Sequence, residues 1–311
     1  MQLGASLPIP DIGTGPVVLR DYAQAAEGLG FDFLLAADHV LGNNPDVTVA
    51  HSARTGVSSD HARRIGTTAL AFHDPLVLFG FLSGYTSKIG FATGVLILIL
   101  AQRQAALVAK QAASLDELCG GRFRLGVGVG WNEIEFQGLG MDFHSRGRRS
   151  EEQVRFMQAL WAEPHTTFHG DFHHLDDGGL TLRPKSGRVP VWFGGHAEAT
   201  LRRAAKYGDG YMPLAYAPGD EALATFAKLR TLIREAGRKP EDVGLEVWVS
   251  PGAGNEEDWR REITFWKNAG VTHVTAHTTY VSEHHQRIKG RSAAEHLAAL
   301  TRYRSAVADL L

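Results

Sequence analysis

Short apolar runs alternate with amphipathic ones eight times along this chain, and no other feature restricts its fold as strongly. The apolar runs that read as strands are Gln2–Leu7, Phe31–Ala37, Ile89–Val95, Arg122–Val129, Val189–Gly194, Gly210–Pro213, Val243–Ser250 and Val271–His277. Helical patterns lie between them at Pro16–Leu29, Pro75–Thr86, Ala105–Leu118, Arg149–Trp161, Ala197–Tyr207, Glu221–Ala236 and Glu256–Asn268, with a last one at Ser292–Leu310. The first has proline in its first turn and stops at Gly30, as helix punctuation predicts. Eight strands each followed by a helix is the count of a closed (β/α)8 TIM barrel. An open doubly wound sheet competes, but rarely reaches eight strict repeats. Near-continuous apolar strands such as "FDFLLAA" suit parallel strands covered on both faces. With no low-complexity linker in 311 residues, the expectation is one α/β domain over residues 1–311.

Three connections exceed simple loops. His39–His73 follows strand 2, Ala162–Arg188 precedes strand 5, and Thr278–Arg291 follows strand 8. The first and third leave C-terminal strand ends, where barrel active sites are built. The middle one contains "TTFHGDFHHL", two arms around a turn glycine, and reads as a surface hairpin.

The formal net charge is −2, so nothing points to a nucleic-acid or anionic-membrane partner. The lone cysteine, Cys119, cannot form an intrachain disulfide, and it falls at the end of the third helix, on the side facing away from the barrel mouth. The longest apolar stretch, Val95 to Ala101, is far short of the ~20 residues of a membrane helix. The N-terminus lacks a basic segment followed by an apolar one. A cytoplasmic location is expected.

"RLGVGVGWNEIE" (Arg124–Glu135) invites comparison with a dinucleotide-binding loop. Its glycines, Gly126, Gly128 and Gly130, run G-x-G-x-G rather than G-x-G-x-x-G, which excludes that loop. Period-two glycines put all three on one face of a strand, open to close approach by a backbone, a bulky side chain or a flat ligand.

The longer stretch "GGRFRLGVGVGWNEIEFQGLGMDFHSRGRR" resembles the fourth strand and following loop of the luciferase-like monooxygenase superfamily. "GLGFDFLLAADH" is similar to its second strand, "KIGFATGVLILILAQRQAALVAKQAASLDELCGGR" to its third strand and helix, and "VPVWFGGHAEATLRRAAKYGDGYMP" to its fifth and sixth strands. The likeness is clear to about Pro213, weaker beyond, and nearest to the actinobacterial branch using the deazaflavin coenzyme F420. It implies hydride transfer between F420 and a small organic substrate at the C-terminal face. FMN is the alternative cofactor, in a monooxygenase whose reduced flavin reacts with oxygen. Deazaflavin lacks the N5 that most of that oxygen reactivity needs.

The resemblance also implies roles. The pair Asp38-His39 at the end of strand 2 matches an Asp-His that contacts the deazaflavin. His39 would then exchange a proton near the redox carbon, and Asp38 would orient the loop or bond the ring system. Thr93-Gly94-Val95 matches a bulge backing the cofactor ring, with a cis bond expected at Gly94–Val95. Gly194-Gly195-His196 opens the fifth helix, where free N–H groups suit the cofactor phosphate. Gly130, Trp131 and Asn132 close strand 4. Some F420-dependent dehydrogenases carry a catalytic glutamate where this chain has Trp131, which puts sugar-phosphate oxidation in doubt; the nearest carboxylates here are Glu133 and Glu135. Arg54, Arg63 and Arg64 could hold the anionic tail of F420, or simply be solvated. Family members are often dimers, and Phe79, Phe81 and Leu82 on the second helix suit either a homodimer face or buried core.

Fifteen histidines raise a metal-dependent hydrolase as the competing class, with His39, His196 and His277 near the ends of strands 2, 5 and 8. The adjacent pairs His173-His174 and His284-His285 point apart if extended and would chelate poorly. No H-E-x-x-H is present, so no metal ligand is assigned. A non-catalytic flavin-binding barrel is the third possibility.

Overall fold

The computed structural model describes every residue except 45–66, 95–97, 214–215 and 283, and the side chains of 98–100 are likewise left aside. Eight parallel strands close on one another: β1 (Gln2–Ser6), β2 (Phe33–Ala36), β3 (Gly90–Thr93), β4 (Phe123–Gly128), β5 (Val191–Gly194), β6 (Gly210–Met212), β7 (Gly244–Val249) and β8 (His273–Ala276). Each pairs with its sequence neighbour, and β1 pairs with β8 in the register Gln2↔His273 to Ala5↔Ala276, which completes the barrel. A two-residue strand, Leu98–Ile99, adds along β4 beyond the end of β3.

The outer ring is α1 (Pro16–Gly28), α2 (Pro75–Ser83), α3 (Ala105–Leu118), α4 (Arg146–Ala162), α5 (Glu198–Tyr207), α6 (Asp220–Glu235), α7 (Glu256–Asn268) and α8 (Ala293–Val307). Local chemistry sets their limits. Asp74 caps α2 by accepting from the Leu76 and Val77 amides, and Asn255-Asp258 and Ser292-Glu295 form reciprocal capping boxes on α7 and α8. α1 ends where Gly30 takes a left-handed φ of 79°. The connection before β5 is the expected hairpin, Thr166–His169 against His174–Gly178. Cys119 is buried at the end of α3, which leads into β4 and so lies on the N-terminal side of the barrel. Phe79 and Leu82 are fully buried core and Phe81 is partly buried against it, so the first two cannot form a surface face.

The barrel interior explains much of the glycine spacing. A Cβ at Gly4 would overlap the Phe33 ring, and one at Gly210 or Gly244 would overlap Trp192. A Cβ at Gly126 would strike the Thr93 carbonyl, so the narrow interior alone requires glycine there. Between these rings sits a buried charge. The Arg124 guanidinium lies 4.2 Å from the Phe33 centroid and 4.4 Å from that of Trp192, and Nη2 donates to Glu246 across the barrel at 2.6 Å. Glu246 is fully buried and also accepts from Thr275 Oγ1 at 2.5 Å. Burial lowers the Arg124 pKa, and the Glu246 carboxylate opposes that shift. Among the described residues no helix is long and apolar enough to cross a membrane.

Candidate active site

The C-terminal ends of β2, β3 and β4 bring together residues far apart in sequence. Asp38 and His39 leave β2 on diverging courses, as neighbours on an extended chain must. Asp38 accepts from Arg103 Nη2, and the same guanidinium donates from Nη1 to Asp74 at 3.0 Å. One arginine thus ties the end of β2 to the cap of α2 and to the segment entering α3. The Arg103 carbonyl in turn accepts from Gln153 Nε2 at 2.8 Å. Burial pushes the Asp38 carboxyl up to about 6, while Arg103 pulls against that rise.

His39 turns the other way. Its Nδ1 lies 3.2 Å from both carboxylate oxygens of Glu135, and the Leu41 amide donates to Glu135 Oε1 at 3.2 Å. Glu135 is fully buried, on the short helix Glu133–Gly138 that follows β4. A carboxylate accepts only, so Nδ1 is assigned as the donor, and in the neutral ring Nε2 then carries no proton. That Nε2 is buried and has no hydrogen-bond partner among the described residues. Phe72 and Trp131 wall the imidazole, with centroids 5.6 Å and 6.1 Å away. Asn132 is fully buried too, and its amide exchanges two hydrogen bonds with Asn43 at 2.9 and 3.0 Å, holding the start of the long loop against the end of β4.

The remaining expected residues differ in what they leave free. The Thr93 hydroxyl donates to the Gly126 carbonyl at 2.8 Å and accepts from the Gly126 amide at 2.7 Å, so it joins β3 to β4. A Cβ on Gly94 would overlap Leu35, which makes this glycine a packing requirement. Val95, the Gly94–Val95 bond, and Arg54, Arg63 and Arg64 lie outside the described residues. Gly194 ends β5, and Gly195 takes φ +124°, a conformation closed to most side chains. Tyr211 donates to the Gly195 carbonyl at 2.9 Å, and no side chain caps the first turn of α5. His196 is exposed, edge-on to Tyr216.

Sequence reading missed Arg103, Asn43 and the partnership of Glu135 with His39. It also missed Gln102, buried with neither amide atom partnered among the described residues. Neither spacing nor motif could have exposed these contacts. His39, His196 and His277 do not converge: His277 packs against Trp248 instead, with ring centroids 3.9 Å apart and the planes tilted by 34°. His173 and His174 diverge as expected, to Glu152 and to the His169 ring. His284 and His285 do not. Ser282 Oγ accepts from both their amides, a turn that swings both rings toward Glu262 and corrects the expectation of a poor chelate.

Burial holds the His277 pKa down to about 3, with His285 adding repulsion, and burial with Arg124 holds His273 at about 3. The unfolded chain binds these protons near pH 6.5, so stability is retained above that pH and lost as pH falls toward 3. The loss is about 1.4 kcal/mol per pH unit for each histidine. Urea titrations from pH 7 to 4 are expected to show a shallower slope for His277→Gln than for the parent. Equal slopes would mean that His277 is already charged in the folded state.

A family model described as luciferase-like monooxygenase matches residues 11–310. An uncharacterized protein of Mycobacterium tuberculosis is 37% identical over 168 residues, covering 54% of this chain and 56% of that one. The FMNH2-dependent dimethylsulfone monooxygenase of Pseudomonas fluorescens is 33% identical over 220 residues, 65% of this chain and 53% of the relative. The chain thus spans about half the length of these two relatives. A solved F420-dependent secondary alcohol dehydrogenase, in complex with an F420–acetone adduct, superposes with a TM-score of 0.74 at 20% identity, covering 98% of each chain. That likeness bears out the closed eight-stranded barrel. With a family match running over nearly its whole length, the chain belongs to the luciferase-like monooxygenase family of oxidoreductases and monooxygenases.

Proposed function

We propose that this protein is an F420-dependent oxidoreductase acting on a small organic substrate at the C-terminal face of the barrel. The observation that carries the reading is the His39 imidazole, oriented by Glu135 and presenting beside Trp131 and Phe72 a buried Nε2 that has no partner among the described residues. An orphaned buried nitrogen costs on the order of 1–3 kcal/mol unless a ligand satisfies it. The residues fit such a ligand. Aromatic walls suit a flat ring system, and the uncapped first turn of α5 behind Gly195 suits a phosphate.

When bound, F420 supplies the carbon that gives or takes the hydride. The chain's own residues do the rest. His39 Nε2 delivers or accepts the proton that accompanies the hydride, and Glu135 holds the tautomer and stabilises the imidazolium. Asp38 and Arg103 keep the strand end in register with the cap of α2. Trp131 and Phe72 exclude water from the imidazole.

The second reading, an FMN-dependent monooxygenase, draws on the likeness to the dimethylsulfone enzyme. A paired titration separates the two. Purified protein is expected to quench F420 fluorescence with micromolar or tighter affinity and to bind FMN at least about tenfold more weakly, a difference of ~1.4 kcal/mol. The reverse preference would move the protein to the oxygen-using branch and make oxygen uptake the next assay.

A further inference from the structure

The C-terminal side of the barrel holds a second cluster, whose residues are shared with none of those around His39. Glu262 projects from the middle of α7, and the loop past β8 carries His284 and His285 against it. His285 Nε2 lies 3.2 Å from Glu262 Oε1 and His284 Nε2 lies 3.7 Å from the same oxygen. Three such ligand atoms, one per residue, lie within 4.8 Å of one another, the only grouping of its kind among the described residues. Ligands at about 2.0–2.1 Å around a tetrahedral ion are about 3.4 Å apart, so the cluster needs only small side-chain rotations to close on a cation.

We propose that Glu262, His284 and His285 form a site for a divalent transition-metal cation of the zinc type. The donor set is two imidazoles and a carboxylate, which suits zinc over the harder calcium and magnesium. Outer-shell contacts are in place. Ser282 Oγ sits 3.3 Å from His285 Nδ1, so its oxygen can accept a hydrogen bond from Nδ1–H and leave the Nε2 lone pair for the ion. Trp266 Nε1 donates to Glu262 Oε1 at 3.2 Å and fixes the carboxylate. The nearby Arg261 does not oppose the site with a bare charge, because it pairs with Asp258 and Glu257.

All three ligands line a 520 Å³ cavity shared with Ser250, Trp259 and Phe265. Three protein ligands leave at least one coordination position, and here that position opens on the cavity, where water or a small anion can take it. His285 is almost fully buried and His284 is 43% exposed, so the ion has both a fixed ligand and an entry route. Bound there, it clasps the loop after β8 to α7. This inference does not depend on the identity of the redox cofactor.

Equilibrium dialysis of the full chain against zinc chloride, after chelator treatment, tests it. Roughly one equivalent is expected to remain, with a rise in the thermal midpoint. His284→Ala, at a half-exposed position, is expected to weaken binding at least about tenfold, and Glu262→Gln similarly. His169→Ala, which breaks up the exposed hairpin histidines, is expected to leave binding unchanged. Cobalt provides a variant-free readout, because a four- or five-coordinate site gives strong visible absorption and an octahedral surface site does not. Absence of bound zinc would overturn the proposal. So would zinc affinity unchanged in both His284→Ala and Glu262→Gln, or lost in His169→Ala.

Discussion

His39→Ala is expected to lower turnover by about 10²–10⁴-fold while cofactor affinity stays within a few-fold. The imidazole supplies a proton position rather than a large contact area, since its edge is already enclosed by Phe72, Trp131 and Glu135. Stopped-flow turnover with F420, alongside fluorescence titration of the variant, separates the two quantities. Turnover unchanged in the variant would remove His39 from the chemistry and leave it a packing residue. On the proposed reading Glu135 acts through His39 as a positioning residue, and Glu135→Gln is expected to cost about 10–100-fold. A merely structural role would weaken cofactor binding and turnover together, whereas loss of a positioning carboxylate is expected to lower turnover with cofactor affinity held within a few-fold.

The largest expected loss of stability lies at the other end of the barrel. Glu246→Ala leaves the Arg124 guanidinium enclosed by Phe33 and Trp192 with its carboxylate partner gone. Removing one member of a buried pair costs about 3–5 kcal/mol, because the remaining charge is desolvated without compensation. The double replacement Arg124→Leu with Glu246→Leu takes away both charges and is expected to recover most of that loss. Urea denaturation of the parent, the single variant and the double variant measures the cycle. Equal stability of single and double variants would show that water reaches Arg124 and that the pair is not truly buried.

These two predictions rest on contacts of different legibility from those that built the barrel. Proline at the head of α1 and α2, the glycine at 30, the capping boxes of α7 and α8, and the turn of the hairpin each act within a few residues. Hydrophobic periodicity acts over a single turn or strand. Every barrel strand was accordingly readable to within one or two residues, and so was the closed barrel, because eight strand–helix units leave few other arrangements. The Asp38-His39 pair was visible as well, since a strand end on the active face is a position the repeat itself defines.

The partners of those residues were not. Glu135 meets His39 across 96 residues, Arg103 meets Asp38 across 65, and Arg124 meets Glu246 across 122. Such pairs depend on barrel register and on the course of loops, and no short window carries either. The same limit explains the histidines. His173-His174, at the point where the second hairpin strand begins, diverge to Glu152 and to the His169 ring, whereas His284-His285 converge on Glu262 because Ser282 Oγ accepts from both their amides. Local sequence thus determined the strands, the helices and the closed barrel, since hydrogen bonding and side-chain alternation are short-range effects. Tertiary structure alone decided which charges and imidazoles face each other, since that follows from where the closed barrel places its strand ends.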